Sequence, residues 1–127
     1  MSSICGVLNV DGSPVEKELL LRMRDIADYR GPDGQGIWQD GNIGLGHRLF
    51  INTSESVGEK QPLSNGRNLW ITADCRIDNR AELEEKFRSF FPRRNHFQNL
   101  PDAAYILLAY EIWEEETPLH LLGDFSF

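Results

Sequence analysis

The stretch GIWQDGNIGLGHRLFI (36–51) contains two apolar runs that are separated by Asp40-Gly41. An Asp-Gly pair between apolar runs is a strong signal of a β-hairpin, because glycine readily adopts the left-handed conformation that tight hairpin turns require. Upstream, SICGVLNV (3–10) is apolar and β-branched and ends at Asp11-Gly12, which predicts a buried strand closed by a turn. The first half of the chain is therefore predicted to contain at least three strands.

Helices are predicted around these strands. Ser13-Pro14 starts a capping-box pattern with proline at the first helical position, and a helix should run from there to about Tyr29. Asp78 is expected to cap a second helix over 79–90. The other predicted elements are an exposed loop over 52–67, a strand over 68–74, a basic and aromatic connection over 91–100, a helix over 102–114 that Pro101 opens, and a strand in GDFSF (123–127). This mixture predicts an α+β fold.

Composition excludes several classes of protein. The 127 residues carry a net charge of −7, and 40% of them are hydrophobic, which is typical of a globular domain. The acidic balance argues against binding nucleic acid or anionic lipid. No apolar run approaches the roughly 20 residues that cross a bilayer, and the N-terminus does not resemble a signal peptide. Two cysteines make no disulfide framework, so a cytoplasmic location is expected.

The residues alone reveal little chemistry. There is no phosphate-binding loop, and His47, His96 and His120 lack the spacing of metal ligands, so no metal site is predicted. Basic and aromatic residues alternate in FPRRNHF (91–97), a pattern that in this acidic chain favours a solvated loop over a nucleic-acid contact. Glycine and proline give RGPDGQG (30–36) an unusual backbone, as found in functional loops and in tight structural connections alike.

A series of motifs resembles the N-terminal domain of the asparagine synthetase family, a class II glutamine amidotransferase of the N-terminal-nucleophile hydrolases. The resemblance implies a four-layer αββα fold, of which residues 1–127 form the N-terminal part. It also implies that the rest of the domain and an ATP-dependent synthetase domain follow, with ATP and Mg used there and no cofactor in this domain. The matching motifs are CGV (5–7), VDG (10–12), YRGPDGQGIW (29–38), GLGHRLF (44–50), QPLSN (61–65), IDNRAEL (77–83), PDAAYILLAYEIW (101–113) and LLGDFSF (121–127).

The resemblance also implies a nucleophile. In the family, removal of Met exposes an N-terminal Cys, which attacks the side-chain amide of glutamine while its α-amino group acts as the base. An ungapped comparison places Ser2 at the nucleophile position and Cys5 inside the first strand, where a small buried residue is expected. A hydroxyl is a weaker nucleophile than a thiol near pH 7, so Ser2 weakens the case for glutamine hydrolysis.

The family's oxyanion hole is also altered. Asp74 and Cys75 stand where the family has the Asn and Gly that donate to the oxyanion, and a carboxylate in that position lacks the donor. Loss of one such donor typically costs about 10²–10³ in rate. Arg76 replaces an acid beside the ammonium of the substrate, which reverses the local charge. Pairing between Asp74 and Arg76 would cancel part of both effects.

Two further substrate-binding positions are kept. Arg48 matches the arginine that pairs with the carboxylate of glutamine, and Asp102 matches the aspartate that holds its α-amine. Each has a structural alternative, since Arg48 could brace the 52–67 loop and an acid at Asp102 favours a helix N-terminus in any case.

Three functions follow from this pattern. The leading hypothesis is a degenerate glutaminase domain of an asparagine-synthetase-like, amide-forming enzyme, similar to lasso-peptide cyclases and β-lactam synthetases, with glutamine or no small molecule in its pocket. The second is an active domain that releases ammonia from glutamine for asparagine biosynthesis, with Ser2 as nucleophile. The third is a non-catalytic module that dimerises through the open strand at Phe125–Phe127, because the chain stops inside an apolar strand signal.

Overall fold

The structure is a computed structural model that describes residues 1–94 and 96–127. Its strands are β1 (Ser3–Leu8), β2 (Gly34–Asp40), β3 (Ile43–Leu49), β4 (Leu63–Ser64), β5 (Trp70–Ile71), β6 (Asp74–Ile77) and β7 (Gly123–Ser126). Its helices are α1 (Lys17–Asp25), α2 (Arg80–Phe90) and α3 (Asp102–Trp113), with 3₁₀ turns at Ser54–Ser56 and Glu114–His120.

The predicted hairpin forms the larger sheet. Strands β2 and β3 pair antiparallel across Gly41, whose φ of +53° explains why glycine is needed at this turn, and β1 pairs antiparallel with the other edge of β3. Helix α1 packs on one face of this sheet. At Gly44, a Cβ atom would come within 3.0 Å of Leu20 and 3.1 Å of Val15, so the glycine allows the close approach of the helix.

The second half of the chain forms an apolar core. Helices α2 and α3 pack together, and Phe87 has its ring centroid 5.7 Å from that of Phe97, 5.9 Å from Tyr105 and 6.5 Å from Trp113. The two-stranded sheet of β6 and β7 lies beside this core, and Ile77 on β6 is buried in it. The predicted helix after Pro101 and the predicted strand at GDFSF are confirmed.

The first helix is shorter than predicted. It begins at Lys17, because the Ser13 hydroxyl bonds to the Asp11 carboxylate at 2.7 Å and does not cap the helix. It ends at Asp25, and Tyr29 is 80% exposed. The prediction of a buried first strand is also wrong, since Leu8 is 61% exposed. Cys5 on that strand is half-buried.

The predicted strand over 68–74 is divided by a side chain. Gln61 accepts a hydrogen bond from the Ala73 N–H at 2.6 Å and donates one to the Ala73 carbonyl at 3.1 Å, so the amide occupies the place of a neighbouring strand. The chain before this point pairs as β5 with β4, and the chain after it pairs as β6 with β7. Because Gln61 is only 7% exposed, the prediction that 52–67 is wholly exposed is wrong as well.

The predicted cap at Asp78 is also wrong. Asp78 pairs with Arg76, and α2 begins after Asn79, whose side chain donates to the His120 carbonyl at 3.0 Å and accepts from the Leu122 N–H at 3.0 Å. The observed fold is α+β as predicted, whereas the four-layer arrangement stays a prediction. Within the described ranges, no helix has the length and apolar character to span a membrane.

Candidate active site

A small polar cavity lies where the N-terminus meets the start of β6. It is lined by Ser2, Asp74, Cys75 and Asp102, together with Glu59 and other residues from the 52–67 segment. Its volume of about 20 Å³ is room for one water molecule, since a cavity needs about 10–15 Å³ to hold one. A wider cleft of about 720 Å³ lies outside it and shares Asn52, Asp74 and Cys75 as lining residues.

Ser2 is held in this cavity by its backbone and its side chain. It precedes β1, which pairs with β3, and it is 8% exposed. Its N–H donates to the Asp74 carboxylate at 3.0 Å, and its hydroxyl oxygen accepts from the Phe50 N–H at 3.0 Å. Met1 lines the outer cleft, so its removal would open the Ser2 nitrogen toward that cleft.

The side chains of the two residues at the expected oxyanion hole offer little to a developing negative charge. The Asp74 carboxylate accepts a hydrogen bond from Ser2 and has no N–H of its own to donate. Burial raises the pKa of the Cys75 thiol, and the carboxylates of Asp102, Glu59 and Asp74 raise it further. The thiol therefore stays protonated and is a poor nucleophile at neutral pH.

Arg76 lies outside the cavity. It is exposed and pairs with Asp78 and Asp124, each at 3.0 Å. Asp124 is its register partner on β7, which explains the second pair. The pairing between Arg76 and Asp74 that the sequence raised does not form, and the Asp74 carboxylate bonds to Ser2 instead. Arg76 still lines the wider cleft, where it would face whatever enters.

Asp102 begins α3 and faces the cavity, but its carboxylate is already engaged. One oxygen accepts from the Ile77 N–H at 3.2 Å and the other pairs with Arg80. Arg80 also donates to the Leu100 carbonyl at 2.7 Å and stacks over the Tyr105 ring. Sequence reasoning missed Arg80. An arginine at the first position of a helix opposes the helix dipole, and this was the available signal that it has another role.

Sequence reasoning also missed Glu59 and Gln61, because the polar segment around them indicated an exposed loop. Glu59 accepts a hydrogen bond from Gln61 at 2.8 Å, and burial, assisted by the Asp102 charge, raises the pKa of its carboxyl. The QPLSN motif (61–65) includes Gln61, but no residue pattern distinguishes the two side chains from those of an exposed loop.

Arg48 points to the other side of the large sheet. Its guanidinium donates to the Asp25 carboxylate of α1 at 2.7 Å, and Arg24 bonds to the same carboxylate. Neither the cavity nor the outer cleft has Arg48 in its lining. The structure thus brings Ser2, Asp74, Cys75 and Asp102 together, places Arg76 at the rim of the site, and leaves Arg48 apart.

Comparison with known proteins identifies the domain. The family model described as "Glutamine amidotransferase domain" matches residues 1–127. The chain belongs to this glutamine amidotransferase family. It is 30% identical over 116 residues to asparagine synthetase [glutamine-hydrolyzing] 3 of Bacillus subtilis and 32% identical over 114 residues to asparagine synthetase [glutamine-hydrolyzing] 1 of the same organism. An Arabidopsis thaliana asparagine synthetase [glutamine-hydrolyzing] is 26% identical over 129 residues.

The matches cover most of this amidotransferase domain and little of the relatives. They span 88% of the chain for both Bacillus proteins and 98% for the Arabidopsis protein, but only 17–21% of the length of these three relatives. The resemblance to the N-terminal class II amidotransferase domain of asparagine synthetases is therefore confirmed.

The charges decide what this amidotransferase cavity can do chemically. Three carboxylates, those of Glu59, Asp74 and Asp102, line it, and the Arg80 side chain pairs with one of them. Such a cavity favours a cationic or hydrogen-bond-donating group and opposes an oxyanion. Among residues 1–94 and 96–127, no group of three or more His, Cys, Asp or Glu residues is arranged to hold a metal ion.

Proposed function

We propose that this chain is the amidotransferase-like domain of an asparagine-synthetase-like, ATP-dependent, amide-forming enzyme, and that its own glutaminase chemistry has been lost. The observation that carries the proposal is the hydrogen bond of 3.0 Å from the Ser2 nitrogen to the Asp74 carboxylate. Glutamine hydrolysis would need the Ser2 nitrogen as its base and residue 74 as a donor to the oxyanion.

The first consequence concerns the base. When Met1 is removed, the Ser2 nitrogen becomes an α-amine, which must be neutral to accept a proton from the hydroxyl. A carboxylate at hydrogen-bond distance favours the protonated ammonium. Asp74 therefore disfavours the neutral amine that would act as the base.

The second consequence concerns the tetrahedral intermediate. One of the two residues that should donate to the oxyanion, Asp74, is a carboxylate, and the Phe50 N–H beside Ser2 is already bonded to the Ser2 hydroxyl. The cavity of about 20 Å³ has room for one water molecule but not for the side-chain amide of glutamine. These features support a domain that retains the family scaffold without its hydrolytic step.

The remaining parts of the proposal concern the whole protein. The larger size of the relatives supports a linked C-terminal synthetase domain, which would use ATP and Mg to activate a carboxylate. The attacking amine would then come from a substrate of that domain and not from glutamine. The pocket described here would hold glutamine weakly or no small molecule, and the enzyme would act in the cytoplasm.

The test compares neighbouring serines. We expect the full-length protein and its Ser2→Ala and Ser3→Ala variants to release glutamate from glutamine at the same background rate, because Ser2 performs no chemistry. Ser3 is the matched control, since it pairs with Arg48 in the β1–β3 ladder and lines neither the cavity nor the outer cleft. Glutamate release that is present in the parent and the Ser3→Ala protein and absent from the Ser2→Ala protein contradicts the proposal.

An active glutaminase that uses Ser2 is the second candidate. It is favoured by the assembly of Ser2, Asp74, Cys75 and Asp102 around one cavity. A glutamine-like electrophile should then leave a covalent adduct on Ser2, which mass spectrometry would locate. If Met1 stays on the mature protein, this candidate is excluded, because the α-amine is then blocked.

A dimerising module is the third candidate. It is favoured by Phe127, which is 45% exposed and lies with its ring centroid 5.9 Å from that of Phe125. Replacement of Phe127 by Ser should convert such a dimer to monomers.

A further inference from the structure

The glycine-rich stretch RGPDGQG (30–36) lies against the end of β3, the strand whose last residue, Leu49, lines the Ser2 cavity. At Gly31, a Cβ atom would come within 2.5 Å of the backbone carbonyl group of Arg48. Because a side chain cannot fit at that distance, only glycine allows the stretch to approach β3 so closely. The unusual backbone of this stretch therefore serves a contact beside the Ser2 site.

Asp33, in the middle of this stretch, holds the chain at the point where β3 ends. Its N–H donates to the Leu49 carbonyl at 3.0 Å, and its carboxylate accepts from the Ile51 N–H at 2.8 Å. The β2–β3 ladder ends at the pair of Gly34 and Leu49, so these two bonds extend the pairing by one further step. The Asp33 side chain takes the place that a strand carbonyl would have, and it fixes residues 49–51 on the β2 side.

These two bonds determine the direction of the N–H group of Phe50. In a strand, the N–H of one residue points to the opposite edge from the preceding carbonyl and the following N–H. Strands β2 and β1 lie on opposite edges of β3, so the Phe50 N–H, which follows the Leu49 carbonyl, points toward the β1 side. There it donates to the Ser2 hydroxyl oxygen at 3.0 Å. One bonding pattern therefore links Asp33 on one edge to the side chain of residue 2 on the other.

We propose that Asp33 is a positioning residue that aims the Phe50 N–H at the side-chain atom of residue 2. The proposal rests on the proposed function only in taking position 2 as the place of the family's nucleophile. Asp33 does not line the Ser2 cavity, so it acts through Phe50. A donor at this place stabilises the anionic form of the atom that it faces, the alkoxide of a serine or the thiolate of a cysteine. The site thus contains one group that favours a negative charge on residue 2 and one, the Asp74 carboxylate, that opposes it.

The test places a thiol at position 2, because the ionisation of a thiol can be followed through its reactivity. In the full-length Ser2→Cys protein, the rate at which iodoacetamide alkylates the introduced thiol is measured against pH. Peptide mass spectrometry distinguishes this thiol from Cys5 and Cys75. Adding Asp33→Ala should raise the pKa of the introduced thiol and lower its alkylation rate at neutral pH by about tenfold, because the Phe50 N–H is no longer held on the thiolate.

Asp33→Asn, added to Ser2→Cys in the same way, is the rescue variant. Its amide oxygen can accept from the Ile51 N–H as the carboxylate does, so the introduced thiol should not rise in pKa. A role for the charge of Asp33 alone predicts a different result, since the loss of a negative charge would lower the pKa of the thiol in both variants. Asp33→Glu keeps the charge and displaces the acceptor by one methylene group. It should also raise the pKa of the thiol, and it replaces Asp33→Ala if that variant does not fold.

The matched control is Asp11→Ala. Asp11 also accepts a backbone N–H, that of Ser13 at 2.9 Å, but it follows the far end of β1. Its removal should leave the pKa of the introduced thiol unchanged, and circular dichroism checks that every variant is folded.

Three results would overturn the proposal: an unchanged pKa of the thiol in Asp33→Ala, an increase in Asp33→Asn as large as that in Asp33→Ala, or an equal increase in Asp11→Ala. None of these outcomes depends on glutamine hydrolysis. The failure of this proposal is therefore distinguishable from the failure of the proposed function, which the release of glutamate decides.

Discussion

The cavity at Ser2 and the core between α2 and α3 are built in opposite ways. In the core, Phe87, Leu83 and Tyr105 are fully buried and contact other apolar groups. In the cavity, buried and half-buried polar groups bond to each other, as the Ser2 nitrogen does to Asp74 and Asp102 does to Arg80. The hydrogen-bonding capacity of the cavity is thus largely used inside the protein.

This difference bears on the proposed loss of glutaminase chemistry from the active-site scaffold. A catalytic site keeps donors free for the transition state. Here the same positions form internal hydrogen bonds and an ion pair, which would keep the fold intact after catalysis is lost. Substitutions in the two regions should therefore differ in size and in kind.

The largest effect is expected in the core. Phe87→Ala should lower the free energy of unfolding by about 3–5 kcal/mol, because it removes a ring that is fully buried among four other aromatic rings. Chemical denaturation measures the change. The control is Phe90→Ala on the same helix, where 59% of the residue is exposed and the loss should stay below about 1 kcal/mol. Equal losses would show that the core is not where the stability lies.

The next effect concerns a histidine in β3. His47 is fully buried against Thr72, and burial lowers the pKa of its imidazole to about 4. Below pH 6.5 the unfolded chain binds a proton at His47, whereas the folded chain binds it only near pH 4. The free energy of unfolding therefore falls as the pH is lowered from 6.5 to 4. The loss attributable to His47 should approach about 3 kcal/mol.

The measurement is the free energy of unfolding as a function of pH. His47→Gln should flatten the slope between pH 6.5 and 4, whereas His96→Gln should leave it unchanged, because His96 is exposed. A slope that persists without His47 would assign the acid sensitivity to other groups.

A smaller effect is expected at the cavity. Arg80→Met should cost about 2 kcal/mol, because it leaves the largely buried Asp102 carboxylate with only the Ile77 N–H. Lys86→Met on the same helix is the control, since it removes a more exposed pair with Glu82 and should cost less than about 1 kcal/mol. If Arg80→Met is neutral while the protein stays folded, Asp102 is not held by the ion pair, and the contrast between cavity and core is weaker than described.

Much of the fold was accessible from the sequence. Asp40-Gly41 predicted the hairpin, Pro101 predicted the start of α3, and GDFSF predicted β7, because each signal acts through local backbone preferences. Predictions failed where a distant residue overrode the local signal. Gln61 divides the strand after residue 68 by bonding to Ala73, and Asp11 takes the Ser13 hydroxyl away from α1.

The candidate site was accessible only in part. The family resemblance indicated Ser2, Asp74, Cys75 and Asp102, and the structure places these four around one cavity. It did not indicate Glu59, Gln61 or Arg80, because a polar residue in a loop or on a helix looks the same in sequence whether it is buried or solvated.

By itself the sequence determined the local elements and the family, since turn glycines, helix-opening prolines and ordered motifs are properties of short stretches. Only the tertiary structure decided which polar and charged groups bond to each other. Ser2 bonds to Asp74 across 72 residues and Asp102 pairs with Arg80 across 22, whereas Arg76 and Asp74, two residues apart, find different partners. Such pairings depend on how folding packs distant segments together, and the chemistry of this site depends on those pairings.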